Sequence, residues 1–89
     1  MTPDQIRTRD DIFALINMER ARQDEMYGVT FDTQNTINDW GTYINHYIAE
    51  ATKSGAENVR YSLVKIAALA VAALEMDVAV GIAPRHYDK

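Results

Sequence analysis

The sequence predicts an all-α fold, a three-helix subunit whose bundle is completed by association with further copies of the chain. Three observations predict it. Apolar residues recur at spacings of three and four through residues 12–18 and 37–51. Helix start and stop residues bracket three segments, with Thr8 and Thr36 as N-caps and Gly28 and Gly81 as terminators. Finally, "IAALAVAAL", residues 66–74, is apolar around the whole circumference of a helix. Eighty-nine residues make one domain, 1–89, that buries only a modest share of its surface alone.

The opening "MTPDQ" offers Thr2 as an N-cap, Pro3 at the first helical position and Gln5 three residues after the cap. Thr8 with Asp11 offers a second start. Ile12, Phe13, Leu15, Ile16 and Met18 then supply an apolar face. The run "ERARQDE" reads as a wetter, solvated face laced with i, i+4 pairs, and Gly28 ends the helix. Helix one is expected over about residues 9–26. "VTFDTQNT" is read as a polar connection anchored by Phe31.

Helix two is expected from Thr36 to about residue 52, with Asp39 completing a capping-box-like pattern. Ile37, Trp40, Tyr43, Ile44, Tyr47, Ile48 and Ala51 form the seam of a helix packed nearly antiparallel on its neighbour. Along that seam Trp40, Tyr43 and Tyr47 read as core, as do Met18, Met26 and Met76 elsewhere. "TKSGAEN" breaks the chain, and helix three is expected over about 57–80, stopped by Gly81 and Pro84. The tail, 83–89, has no periodicity and is expected to fray or to dock through Tyr87.

A helix apolar on every side needs neighbours on every side, and two other helices from so short a chain cannot supply them. The alanines permit close approach of helix axes. A homo-oligomer, dimer or tetramer, centred on helix three is therefore expected.

Composition narrows the function classes. Apolar residues are 47% and charged residues 25%, ordinary for a globular domain. The net charge of −4 argues against nonspecific nucleic-acid binding, which requires a basic surface. No cysteine is present, which removes disulfides, thiolate metal sites and a cysteine nucleophile. The charged N-terminal residues give no signal-peptide pattern, and the longest uncharged run in the apolar part, 66–74, is far short of the about twenty residues of a membrane span. A cytoplasmic protein with no membrane association is expected.

Few residues suggest chemistry. His46 and Glu50 stand one turn apart on helix two and could ligate a divalent metal, or simply be a solvated pair. Lys65 lies where helix three turns fully apolar, with Ser62 one turn before it and Tyr61 nearby. Its ammonium must snorkel to water or find an anion. A structural ion pair with an acidic side chain such as Glu50 is the expectation, and a ligand phosphate is the functional alternative. No glycine-rich phosphate loop, His-Glu-x-x-His or Ser-His-Asp pattern is present.

Three stretches in order, "INMERARQDEMYG", "NDWGTYINHYIAEA" and "NVRYSLVKIAALAVAALE", resemble the MazG-like all-α nucleoside triphosphate pyrophosphohydrolases, in particular the short versions of phage and prophage genomes. The resemblance covers about residues 16–75 and rests on the Glu-Arg-x-Arg-Gln opening and the Trp leading helix two. It implies an all-α oligomer in which carboxylates hold Mg²⁺ against a nucleoside triphosphate. The family pattern is Glu-x-x-Glu on one helix and Glu-x-x-Asp on the next. Placed on this chain, the first pair falls on Tyr47 and Glu50, and the second on Ser62 and Lys65. The glutamate that often precedes the first pair becomes His46. Three of four ligand positions have lost their carboxylate.

Mg²⁺ is held by carboxylates, waters and phosphates, and an ammonium repels it. The resemblance thus implies an inactive relative that needs no cofactor. It would bind a nucleotide-like small molecule or a protein partner through His46, Tyr47, Glu50, Ser62 and Lys65. Two alternatives stand beside it. One is an Mg²⁺-dependent pyrophosphohydrolase using Glu50 with Glu19, Asp24, Glu25 or Glu57. The other is a structural oligomer whose pocket is filled by its own side chains.

Overall fold

The computed structural model describes residues 7–33, 35–53 and 56–83, with side chains at all of these except 27–33 and 56–58. Among them are three helices and no strand: α1 (Arg9–Thr33), α2 (Ile37–Lys53) and α3 (Ala56–Val80). None is long and apolar enough to cross a membrane. Thr2, Pro3, Gln5, Pro84 and Tyr87 lie outside the described residues.

Each helix begins or ends where its local chemistry dictates. At the start of α1, the Asp11 N–H donates to Thr8 Oγ1 at 3.1 Å, and Asp11 Oδ2 accepts from the Thr8 N–H at 3.0 Å. This reciprocal pair satisfies donors that have no intrahelical partner. Asp11 Oδ2 also accepts from the Arg7 N–H at 3.0 Å. At α2, Asp39 Oδ2 accepts from the Thr36 N–H at 2.8 Å. The next orphan donor, the Ile37 N–H, bonds to the Ile82 carbonyl at 2.9 Å. α3 closes at Gly81, whose φ of +80° is open to glycine without steric penalty. Its N–H reaches the Asp77 carbonyl at 3.0 Å, and the Ile82 N–H donates to Asp77 Oδ1 at 3.3 Å.

Gly28 does not end helix one. α1 runs on to Thr33, so "VTFDT" is helix and not connection, and the side chain of Phe31 lies outside the described residues. A helical glycine costs only about 1 kcal/mol, which good helix formers before it offset.

α3 is the central element. α1 and α2 each pack along it and touch one another only slightly. The Ile37–Ile82 bond sets α2 antiparallel to α3, while the contact of Arg20 with Glu75 and the groove shared by Ile12 and Arg60 set α1 parallel to it. The core lies between α2 and α3. Trp40, fully buried, packs with Leu69, Ala72, Ala73 and Ile82, and Tyr43, Ile44, Tyr47 and Met76 close around them. Trp40 meets Tyr43 edge-on at 6.0 Å. Burying an indole removes about 200 Å² from water, on the order of 5 kcal/mol as an upper estimate.

The α1 face differs from the one expected. Met18 and Met26 are both 57% exposed, and so is Phe13, so none of them is core filler. Glu19, Arg20 and Gln23, expected on a solvated face, are 7%, 6% and 6% exposed. The reason is register: Leu15 and Ile16 continue in steps of four to Glu19, Gln23 and Arg20, so the side of α1 that meets α3 turns polar after its first turns.

Candidate functional site

Because α2 runs antiparallel over α3, its C-terminal half crosses the N-terminal half of α3. That brings Tyr47 to Lys65. The Lys65 ammonium lies 5.0 Å from the Tyr47 ring centroid and 4.4 Å from that of Tyr61, one turn before it on α3. The negative faces of the two rings attract the ammonium, each contact contributing roughly 0.5–1 kcal/mol where solvent reaches it. His46 stands edge-on to Tyr47, with centroids 5.0 Å apart and planes at 75°. Tyr47 is half-buried against the core, Ser62 is buried, and His46 and Glu50 are exposed.

The ion pair expected between Lys65 and Glu50 is not formed; among the described residues neither takes part in one. A solvent-exposed pair contributes about 0–1 kcal/mol, no more than the two ring contacts already supply. Glu50 therefore stays hydrated while the ammonium rests on aromatic faces. Of the five sequence candidates, Tyr47 and Lys65 meet directly and His46 joins through Tyr47.

These groups do not suit a divalent cation. One exposed carboxylate is the only hard anionic donor, and the ammonium stands on the ring of a residue that the family pattern would make a ligand. Among the described residues no group of three or more His, Cys, Asp or Glu could hold a metal ion.

A second polar cluster lies between α1 and α3. Arg22 grips Glu19 with two bonds, Nε to Oε1 at 2.9 Å and Nη2 to Oε2 at 2.6 Å. Gln23 Nε2 approaches Glu19 Oε2 at 3.4 Å. Arg20 bridges helices, meeting Asp24 at 2.6 Å within α1 and Glu75 at 3.0 Å on α3. The carboxylates Glu19 and Asp24, candidates for a non-standard metal set, are thus each held by a guanidinium. A metal would have to displace a bidentate arginine from Glu19. The side chain of Glu57 lies outside the described residues.

Sequence reasoning placed Tyr61 near Lys65 without giving it a role, and it did not anticipate the burial of Glu19, Arg20 and Gln23. Tyr61 was legible as the i−4 neighbour of Lys65, the spacing at which helical side chains meet.

Two apolar grooves flank α3. The larger, about 480 Å³, is lined by Ile37, Ile44, Ala70, Ala73, Leu74 and Ile82 among others. The smaller, about 220 Å³, lies between Ile12, Leu15 and Ile16 on α1 and Leu63, Val64 and Ala67 on α3. Neither is lined by the five candidate residues.

No family model, curated protein or solved structure matches the chain.

Proposed function

We propose that this chain is a non-catalytic relative of the MazG-like pyrophosphohydrolases, of the short phage and prophage kind. It associates with itself through α3 and binds a nucleotide-like anion without a metal. The carrying observation is the Lys65 ammonium, held against the rings of Tyr47 and Tyr61 at a position where the resemblance would put a carboxylate. An ammonium there offers one positive charge to a phosphate. The exposed ring of Tyr61 and the imidazole of His46 offer flat apolar surface beside it. Self-association is supported by the apolar side chains that α3 leaves in solvent, Leu74 and Val78 foremost.

The test is thermal unfolding across mono-, di-, tri- and cyclic nucleotides in EDTA, with a pyrophosphate-release assay in Mg²⁺. Binding to the folded chain raises its stability by about 2.7 kcal/mol at a hundredfold excess over Kd. A nucleotide-dependent rise in EDTA, with no pyrophosphate released, is expected. Absence of any rise, or Mg²⁺-dependent release, contradicts the proposal.

A second reading has its own support. Ser62 is buried and Tyr47 packs on the core, so the cluster already fills much of its own space. On this reading the chain is a structural or interaction module, and no nucleotide raises its unfolding temperature.

A further inference from the structure

The exposed side of α3 carries a complete heptad seam. Arg60, Leu63, Ala67, Ala70, Leu74 and Asp77 follow one another at spacings of three, four, three, four and three, the a and d positions of a coiled coil. Val64, Val71 and Val78 flank the seam at the next position of each heptad. Within one chain this stripe lacks cover: Leu63 is 56% exposed, Leu74 64% and Val78 87%. Its N-terminal half lines the groove shared with α1, and its C-terminal half lines the groove shared with α2.

The seam is also polar at both ends, and its ends differ in sign. Arg60 stands at the N-terminal end, exposed, with no ion pair among the described residues. Asp77 stands at the C-terminal end, also exposed.

We infer that α3 pairs with α3 of a second copy in antiparallel direction. Leu63 then packs on the partner's Leu74, Ala67 on the partner's Ala70, and Arg60 on the partner's Asp77. This rests on the self-association proposed above and adds its surface, direction and register.

Charge decides the direction. A parallel, in-register pair would set Arg60 on the partner's Arg60 and Asp77 on the partner's Asp77, two like-charge layers. The antiparallel pair turns both into opposite-charge layers at the rim, where such pairs select the partner's orientation. Sterics decide the register. Residues pair so that their numbers sum to 137, which places every a position against a d position. The two alanine layers then fall at the crossing point, where small side chains let helix axes come close. Leu63 and Leu74 sit one layer out on either side and interlock, covering two leucines that a single chain leaves more than half exposed.

The absence of native cysteine makes the test direct. Leu63→Cys and Leu74→Cys, prepared as separate proteins of distinguishable mass, are mixed and oxidised. Mixed 63–74 disulfides in excess of 63–63 and 74–74 are expected. Predominantly homotypic links overturn the direction while leaving self-association standing. A wild-type solution mass equal to the 10.1 kDa chain overturns the seam and the self-association together. Arg60→Glu is expected to weaken the dimer about tenfold at low salt. Adding Asp77→Arg to that variant should restore it. Because Asp77 also accepts the Ile82 N–H, helix content is followed alongside. Failure of the double variant to recover, at unchanged helix content, overturns the register.

Discussion

Arg20 donates from Nε to Glu75 Oε1 at 3.0 Å, joining side chains 55 positions apart and tying α1 to α3. The guanidinium is buried, while Asp24 and Glu75, which it meets, are each about half exposed. Removing the arginine leaves two carboxylates that water can solvate. Arg20→Ala is therefore expected to cost about 1–2 kcal/mol, below the roughly 3–5 kcal/mol of a wholly buried pair. Glu75→Gln keeps a hydrogen-bond acceptor and should cost less, under about 1 kcal/mol. Urea unfolding at fixed protein concentration measures both. Equal losses would contradict the bridging role.

Trp40 fills the centre of the α2–α3 core, and its Nε1 has no hydrogen-bond partner among the described residues. Trp40→Ala is expected to cost about 3–5 kcal/mol, enough to unfold a domain this small. Trp40→Phe keeps an aromatic ring and removes a buried donor, so it should cost clearly less. Chemical denaturation ranks the two, and a Phe variant as damaged as the Ala variant would contradict this packing.

Lys65 distinguishes binding from packing. Lys65→Met keeps the aliphatic stem over Tyr47 and Tyr61 and removes the charge. Without nucleotide its stability is expected to stay within about 1 kcal/mol of wild type. The rise produced by nucleotide should disappear. Lys65→Glu sets a carboxylate against the negative ring faces and should destabilise the fold more than Lys65→Met. Retention of the nucleotide effect in Lys65→Met would move the ligand elsewhere.

Asp11 carries the pH dependence of the first turn. Its carboxylate accepts from the Arg7 N–H, then from the Thr8 hydroxyl and N–H, and these bonds hold its pKa below the ordinary 3.8. A carboxylate lowered in the folded state adds stability fully above its unfolded value and loses it as pH falls through the folded one. The start of α1 should thus keep its cap at neutral pH and loosen only below about 3.8. The Asp11 carboxyl carbon, followed by NMR, is expected to titrate below that value. A midpoint at or above it would contradict the cap.

Local chemistry made much of the fold legible. The α2 seam was legible through Trp40, Tyr43, Ile44 and Tyr47, whereas Ile37 and Ile48, expected in it, are exposed. The Thr8–Asp11 box, the Asp39 cap and the Gly81 stop depend on neighbours within a turn, and each stands where it was expected. The bounds of α1 do not, because a single glycine costs a helix only about 1 kcal/mol and is a weak terminator. Burial of Glu19, Arg20 and Gln23 was hidden for another reason. Their charge and polarity point to solvent, and Glu75, which meets Arg20, lies on another helix. Only the four-residue step from Leu15 and Ile16 marked that side as buried. At the candidate site, the lysine was identifiable as a charge needing a partner and Tyr61 as its i−4 neighbour, but the meeting with Tyr47 in place of Glu50 follows from how α2 crosses α3, which residue types alone do not specify.

The position of the Lys65 ε-methylene resonance, followed by NMR through a nucleotide titration in EDTA, bears most directly on whether an ammonium on aromatic rings has taken over a metal's place. Ring currents from Tyr47 and Tyr61 should hold it upfield at the outset, and it should shift saturably as nucleotide is added. A resonance at the ordinary lysine position, or one that moves only when Mg²⁺ replaces EDTA, would contradict that replacement.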